Sequence, residues 1–151
     1  ELTLSAEKLK DDFKDQVLVF NDVSFDLLPS IYAASDIVLA PSRDQHACMG
    51  VSIKEAMASS RPVIGSCSGG IPEAIANNET GLIVNLDENG NISKKQFKEA
   101  ILNLLNNKKR AIEMGTRGRV RAIELFSEEA SVKRLIKYFK VVQKESQNNI
   151  S

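Results

Sequence analysis

The stretch IVLAPSRDQHACMGVSIKEAMASSRPVIGSCSGGIPEAIANNETGLIV, residues Ile37 to Val84, decides the fold. Three short apolar runs punctuate it: Ile37–Ala40, Pro62–Gly65 and Leu82–Val84. None alternates with polar residues, which is the pattern of strands covered on both faces by helices. Periodic, helix-like segments at about residues 51–59 and 71–76 lie between them. Strand, helix and strand in repetition describe successive βα units around a mostly parallel sheet.

Outward from this centre the same grammar continues. Val17–Phe20 (VLVF) reads as a fourth strand, and helices are expected at about residues 5–14 and 27–34. Past Val84 the character changes. Ser93-Lys94-Lys95-Gln96 is a capping box, and Phe97, Ala100, Ile101, Leu104 and Leu105 then recur at helical spacing. A second helix is predicted from about Lys108 to Leu125, weakened by Gly115 and Gly118. The last starts at the Ser127 cap, carries Glu128 and Glu129 in its first turn, and is expected to bury Val132, Leu135, Ile136, Phe139 and Val142. The tail Gln147–Ser151 is expected to fray. The chain therefore reads as one domain over 1–151, with βα units to about residue 92 and helices over about 93–146.

Composition narrows the class. With 151 residues, 42% of them hydrophobic, there is material for one core, and 20 basic against 20 acidic side chains give no electrostatic drive toward nucleic acid or anionic lipid. No apolar run approaches the length of a membrane span, and Glu1-Leu2-Thr3 opens no signal peptide. The chain is expected to be cytoplasmic and, starting without Met, to be a piece of something larger. Cys48 and Cys67, with the single His46, are too few for a zinc site or a disulfide framework and are read as reduced.

In open α/β sheets ligands sit at the carboxyl ends of the strands, so the loops there carry the chemistry. Pro41–Gly50 runs into the helix at Val51-Ser52-Ile53-Lys54-Glu55, and Ser66–Gly70 runs into Ile71-Pro72-Glu73. Gly50 permits close backbone approach, and the free N–H groups of Val51 and Ser52 suit a phosphate or a sugar oxygen. The alternative is that Gly50 only relieves a tight turn. Gly69-Gly70 with Pro72 favours a purely structural turn. Glu55 is placed to accept hydrogen bonds from a ribose diol, or else is an exposed helix carboxylate. Asp44 and His46 could form an acid/base pair or stand solvated in a polar loop. The chain carries no G-x-G-x-x-G, no P-loop, no G-x-S-x-G elbow and no Asp-x-Asp.

The run from Pro41 to Val84, with its EAMA, PVI, GG-x-PE and G-LIV elements, resembles the C-terminal half of the retaining glycosyltransferases of family four and their glycogen-synthase relatives. The upstream VLVFNDVSFDLLPSIYAASDIVLAPS and the downstream helices agree with it, so the similarity spans nearly the whole chain. It implies the C-terminal, Rossmann-like half of a GT-B fold, a parallel sheet with helices on both faces. It further implies a nucleotide diphosphate sugar as donor, no separate cofactor and no bound metal. The acceptor would bind a separate N-terminal domain, which would also be the route of any membrane association. The implied reaction is transfer of a sugar to a hydroxyl with retention of configuration.

By this resemblance, Glu55 matches the second glutamate of the family's E-x7-E motif, which hydrogen-bonds the ribose. Met49, Gly50 and Val51 match the backbone segment that meets the sugar and diphosphate, and Ser52 follows with a hydroxyl in reach of a phosphate. Val23, in Asn21-Asp22-Val23, matches the segment that touches the base. Two departures stand out. Ala47 occupies the position of the first motif glutamate, which addresses the transferred sugar; Asp44 or His46 are the substitutes at hand. The two strands and the Arg- and Lys-bearing loop that open the family's domain do not precede Glu1. In the family's order those strands lie between the VLVF and IVLA strands, which predicts a gap in the sheet and a fragment that is marginally stable or dependent on a missing partner segment, and inactive alone. Rival readings are a GT-B epimerase or hydrolase, and a nucleotide-binding or scaffolding domain without chemistry.

Overall fold

The structure is a computed structural model and describes residues 2–20, 22–46 and 48–148, with side chains of 2–7, 15, 147 and 148 left aside. The predicted fraying at residues 149–151 lies outside these residues. Helix α1 (Leu2–Phe13) opens the chain, and α2 (Leu28–Ala34) follows a short 3-10 turn at Phe25–Leu27. Then come β1 (Val38–Ala40), α3 (Val51–Ala58), β2 (Val63–Ser66), α4 (Ile71–Ala74) and β3 (Gly81–Val84). Helices α5 (Lys94–Asn106), α6 (Lys108–Phe126) and α7 (Glu128–Asn148) complete it.

The sheet is parallel throughout, in the order β1-β2-β3, with Val38 opposite Val63 and Val63 opposite Gly81. β2 is buried at every position, and its side chains alternate between two cores. Val63 joins Ile53, Ala56, Met57, Ile71, Ala74, Ile75 and Ala122 on one face; Ile64 joins Leu82, Val84, Phe97, Leu104, Ala111 and Met114 on the other. Helices thus cover both faces, as the unbroken apolar strands required.

α6 spans both cores, and its glycines explain how. A Cβ on Gly115 would stand 2.2 Å from the Ser60 carbonyl oxygen, and one on Gly118 3.4 Å from that of Thr80. These glycines, expected to weaken the helix, are where it seats against the α3–β2 turn and the start of β3. Arginines finish the seating: Arg119 donates to the Ala58 carbonyl, Arg121 to those of Ala74 and Glu73, and Arg117 to that of Glu79. The two helices α3 and α4 thereby have their last carbonyls satisfied by α6.

Three expectations need correction. Val17–Phe20 is not a strand: it has no ladder partner among the described residues, and Leu18 and Phe20 are 75% and 64% exposed. An extended run becomes a strand only when a neighbour supplies its hydrogen bonds, and β1 pairs with β2 alone. Second, α7 buries none of its expected residues; Val132, Leu135, Ile136, Phe139 and Val142 are all about half exposed. Among the described residues that face joins neither core. Third, α4 is shorter than expected, ending at Ala74 because Ile75 turns extended. The caps at Ser93 and Ser127 are as read, accepting from the Gln96 and Ala130 N–H groups.

Candidate functional site

The loops after β1 and β2 meet at the carboxyl edge of the sheet. Ser66, fully buried at the end of β2, donates to the Ser42 carbonyl at 2.6 Å and accepts from the Ser42 N–H at 2.8 Å. Ser68, also buried, donates to the Asp44 carbonyl at 2.7 Å. Gly70 leaves no room between them, since a Cβ there would stand 2.9 Å from the Met49 nitrogen. Gly70 thus lets the two loops pack together. The clamped loop delivers the head of α3 to the strand ends, where α/β sheets bind ligands.

Gly50 caps α3 with φ at +71°, a conformation that side chains avoid, and a Cβ would press on Ile53 at 3.0 Å. Among the described residues no side chain bonds the helix start, and its first turn holds no acid. The N–H groups there are free for an anion or a sugar oxygen, and the helix dipole favours negative charge. Ile53, Ala56 and Met57 bury the opposite face of the helix. That leaves Val51, 69% exposed, with Ser52 and the half-buried Glu55 on one outward face below Met49 and Gly50.

The remaining predicted residues lie in loops outside α3. Val23 is half-buried in its loop, and no hydrogen bond ties that loop to α3 among the described residues. His46 and Asp44 are 98% and 66% exposed, with Nδ1 and Oδ1 3.5 Å apart; the Asp44 carboxylate mainly accepts from the His46 backbone at 2.8 Å. That is a loop brace, the solvated option, and not a shielded acid/base pair. Ala47, the departure in the motif, lies outside the described residues. Cys48 and Cys67 are exposed free thiols.

One partner escaped the sequence reading. Tyr32 of α2 donates its phenol O–H to Glu55 Oε2 at 3.0 Å, across 23 residues of chain. Burial, then the Glu55 hydrogen bond and charge, push the Tyr32 phenol above its ordinary value. Beside this pair a cavity of about 520 Å³ opens, lined by Phe25, Leu28, Tyr32, Glu55, Ser59 and Arg119 among others. In sequence Tyr32 is one apolar-periodic position in IYAASD, and only the packing of α2 on α3 reveals the contact.

The family model for glycosyl transferases group 1 matches residues 3–107. A GDP-mannose-dependent alpha-(1-6)-phosphatidylinositol monomannoside mannosyltransferase of Mycobacterium tuberculosis is 36% identical over 110 residues, covering 70% of this chain and 27% of that enzyme. Sucrose-phosphate synthase from Thermosynechococcus elongatus superposes with a TM-score of 0.77 at 26% identity, over 92% of this chain and 34% of that one. Anabaena HepE, in complex with UDP-glucose, gives 0.75 at 16% identity over 92% of this chain and 36% of its own, which speaks to the fold alone. The chain thus spans about a quarter of the curated relative and a third of these solved enzymes. No helix among the described residues is long and apolar enough to cross a membrane.

Proposed function

We propose that this chain, which belongs to the glycosyl transferases group 1 family, forms the nucleotide-sugar-binding domain of an enzyme that transfers a sugar to an acceptor hydroxyl with retention of configuration. The carrying observation is the head of α3: an uncapped helix start behind Gly50, with Val51, Ser52 and Glu55 on one open face. The N–H groups at Met49, Gly50 and Val51 and the Ser52 hydroxyl would take the diphosphate and the sugar. Glu55, acceptor-only, would take the ribose diol, and Val23 would approach the base. The UDP-glucose bound by HepE is the class of donor this reading assigns.

In the reaction the donor's C1–O bond breaks and negative charge grows on the departing diphosphate. Fixed N–H dipoles aimed at that charge lower the barrier without reorganising. The acceptor hydroxyl attacks C1 on the face from which the diphosphate departs, which retains the configuration; its proton passes to the departing diphosphate oxygen, and the nucleoside diphosphate leaves with the bonding pair. Acceptor binding is assigned to the N-terminal half of the GT-B architecture, so the domain alone is expected to bind donor and transfer nothing. No cofactor beyond the donor is invoked.

The test is binding of UDP, GDP and ADP and their sugars to the full-length polypeptide by calorimetry. One nucleotide should bind tightly, and Glu55→Ala should weaken it by about tenfold or more, as loss of a charged hydrogen-bond acceptor predicts. Binding of none would turn the reading to a scaffold that kept the fold without the chemistry. Product analysis by NMR would then read the anomeric configuration directly.

A further inference from the structure

We propose that Tyr32 is a positioning residue for Glu55: its phenol fixes the carboxylate so that the site discriminates nucleotides carrying both ribose hydroxyls from those lacking them. The inference rests on the donor-site reading above and goes beyond it by assigning the preorganisation of the clamp to a residue on another helix.

A glutamate on a helix face has three side-chain torsions to lose before it can serve as a bidentate acceptor, and a site works only when its contact groups are held in place beforehand. Glu55 receives one such restraint. Tyr32 grips Oε2 at 3.0 Å, leaving Oε1 and the outer lone pairs open. The restraint is stiff, because Tyr32 has only two torsions, is half-buried, and packs against the core cluster that Ile53, Ala56 and Met57 of α3 build. Among the described residues no other side chain bonds the carboxylate. The one ion pair among the described residues is His46 with Asp44, and the neighbouring Lys54 is turned to the Phe126 ring, its Nζ 5.5 Å from the centroid. The burial and the Glu55 contact that raise the Tyr32 phenol keep it a donor across the working pH range.

The measurement compares, on the full-length polypeptide, the tightest binder among UDP, GDP and ADP with its 2′,3′-dideoxy counterpart. A site built to hydrogen-bond a hydroxyl rejects the analogue without it, so the wild type should prefer the ribonucleotide by about tenfold or more. Tyr32→Phe, which keeps the ring and removes the donor, should cut that preference to about threefold or less and leave dideoxy binding unchanged. A structural role would weaken both ligands alike, so parallel losses, including loss of both, overturn the proposal. So does an unchanged preference in Tyr32→Phe when Glu55→Ala abolishes it; in that case the donor-site reading stands and Tyr32 alone is dismissed. A preference that survives Glu55→Ala, or is absent in the wild type, sinks the diol reading itself and the inference with it. As the closing check, Tyr32→Phe in the Glu55→Ala background should change neither affinity; a further loss there would mean that the phenol acts by another route.

Discussion

α5 and α7 are written alike and fare differently. Each carries apolar residues at helical spacing behind a serine cap, yet α5 tucks Phe97 and Leu104 against β2 and β3, 9% and 1% exposed, whereas α7 leaves Leu135 and Phe139 55% and 61% exposed. The difference is what lies opposite. α5 faces a sheet surface made by Ile64, Leu82 and Val84, while among the described residues the apolar stripe of α7 joins neither core. An amphipathic pattern states which face wants cover and is silent on who supplies it.

Substitutions can break or sharpen that contrast. The largest effect belongs to the sheet side: Ile64→Ala, in the fully buried centre strand, should cost about 2–5 kcal/mol of unfolding free energy, read from the urea midpoint. Gly115→Ala should follow, at about 1–3 kcal/mol, because its methyl would press on the Ser60 carbonyl and lift α6 from the α3–β2 turn. Leu135→Ala on α7 should stay within about 0.5 kcal/mol in the 151-residue chain. A cost near that of Ile64→Ala would mean that α7 is packed after all, and the contrast would collapse.

The smallest effect is spectroscopic. Tyr32 and Tyr138 are the two tyrosines and there is no tryptophan, so in Tyr138→Phe phenolate absorbance reports Tyr32 alone. Its folded pKa is raised, so the folded state holds the proton more tightly than the unfolded one. The stability this contributes is full below the unfolded phenol value of about 10 and is lost as pH rises through the folded value. Glu55→Gln removes the charge and should bring the titration midpoint down. A midpoint that does not move would detach the two side chains.

The same logic separates what was legible in the candidate site from what was not. Gly50, Val51, Ser52 and Glu55 are contiguous, and helical periodicity alone puts the last three on one face away from Ile53, Ala56 and Met57. Ser66 and Ser68 gave no sign of their part in bracing the loop, since short polar residues after a strand are unremarkable in sequence. Tyr32 sits 23 residues from Glu55, too far in sequence for helical periodicity to pair the two.

By itself, then, the amino-acid order determined the parallel three-strand centre, both helix caps at Ser93 and Ser127, and the glycine-led entry into α3. These depend on residues close in the chain, whose spacing sets periodicity and capping directly. The tertiary structure alone decided that Val17–Phe20 has no ladder partner among the described residues, that the α7 stripe stays half exposed, that Gly115 is a seat for Ser60, and that Tyr32 holds Glu55. Each of these turns on a surface supplied, or left unsupplied, by residues distant in sequence, and contact across space is a property of the packed chain.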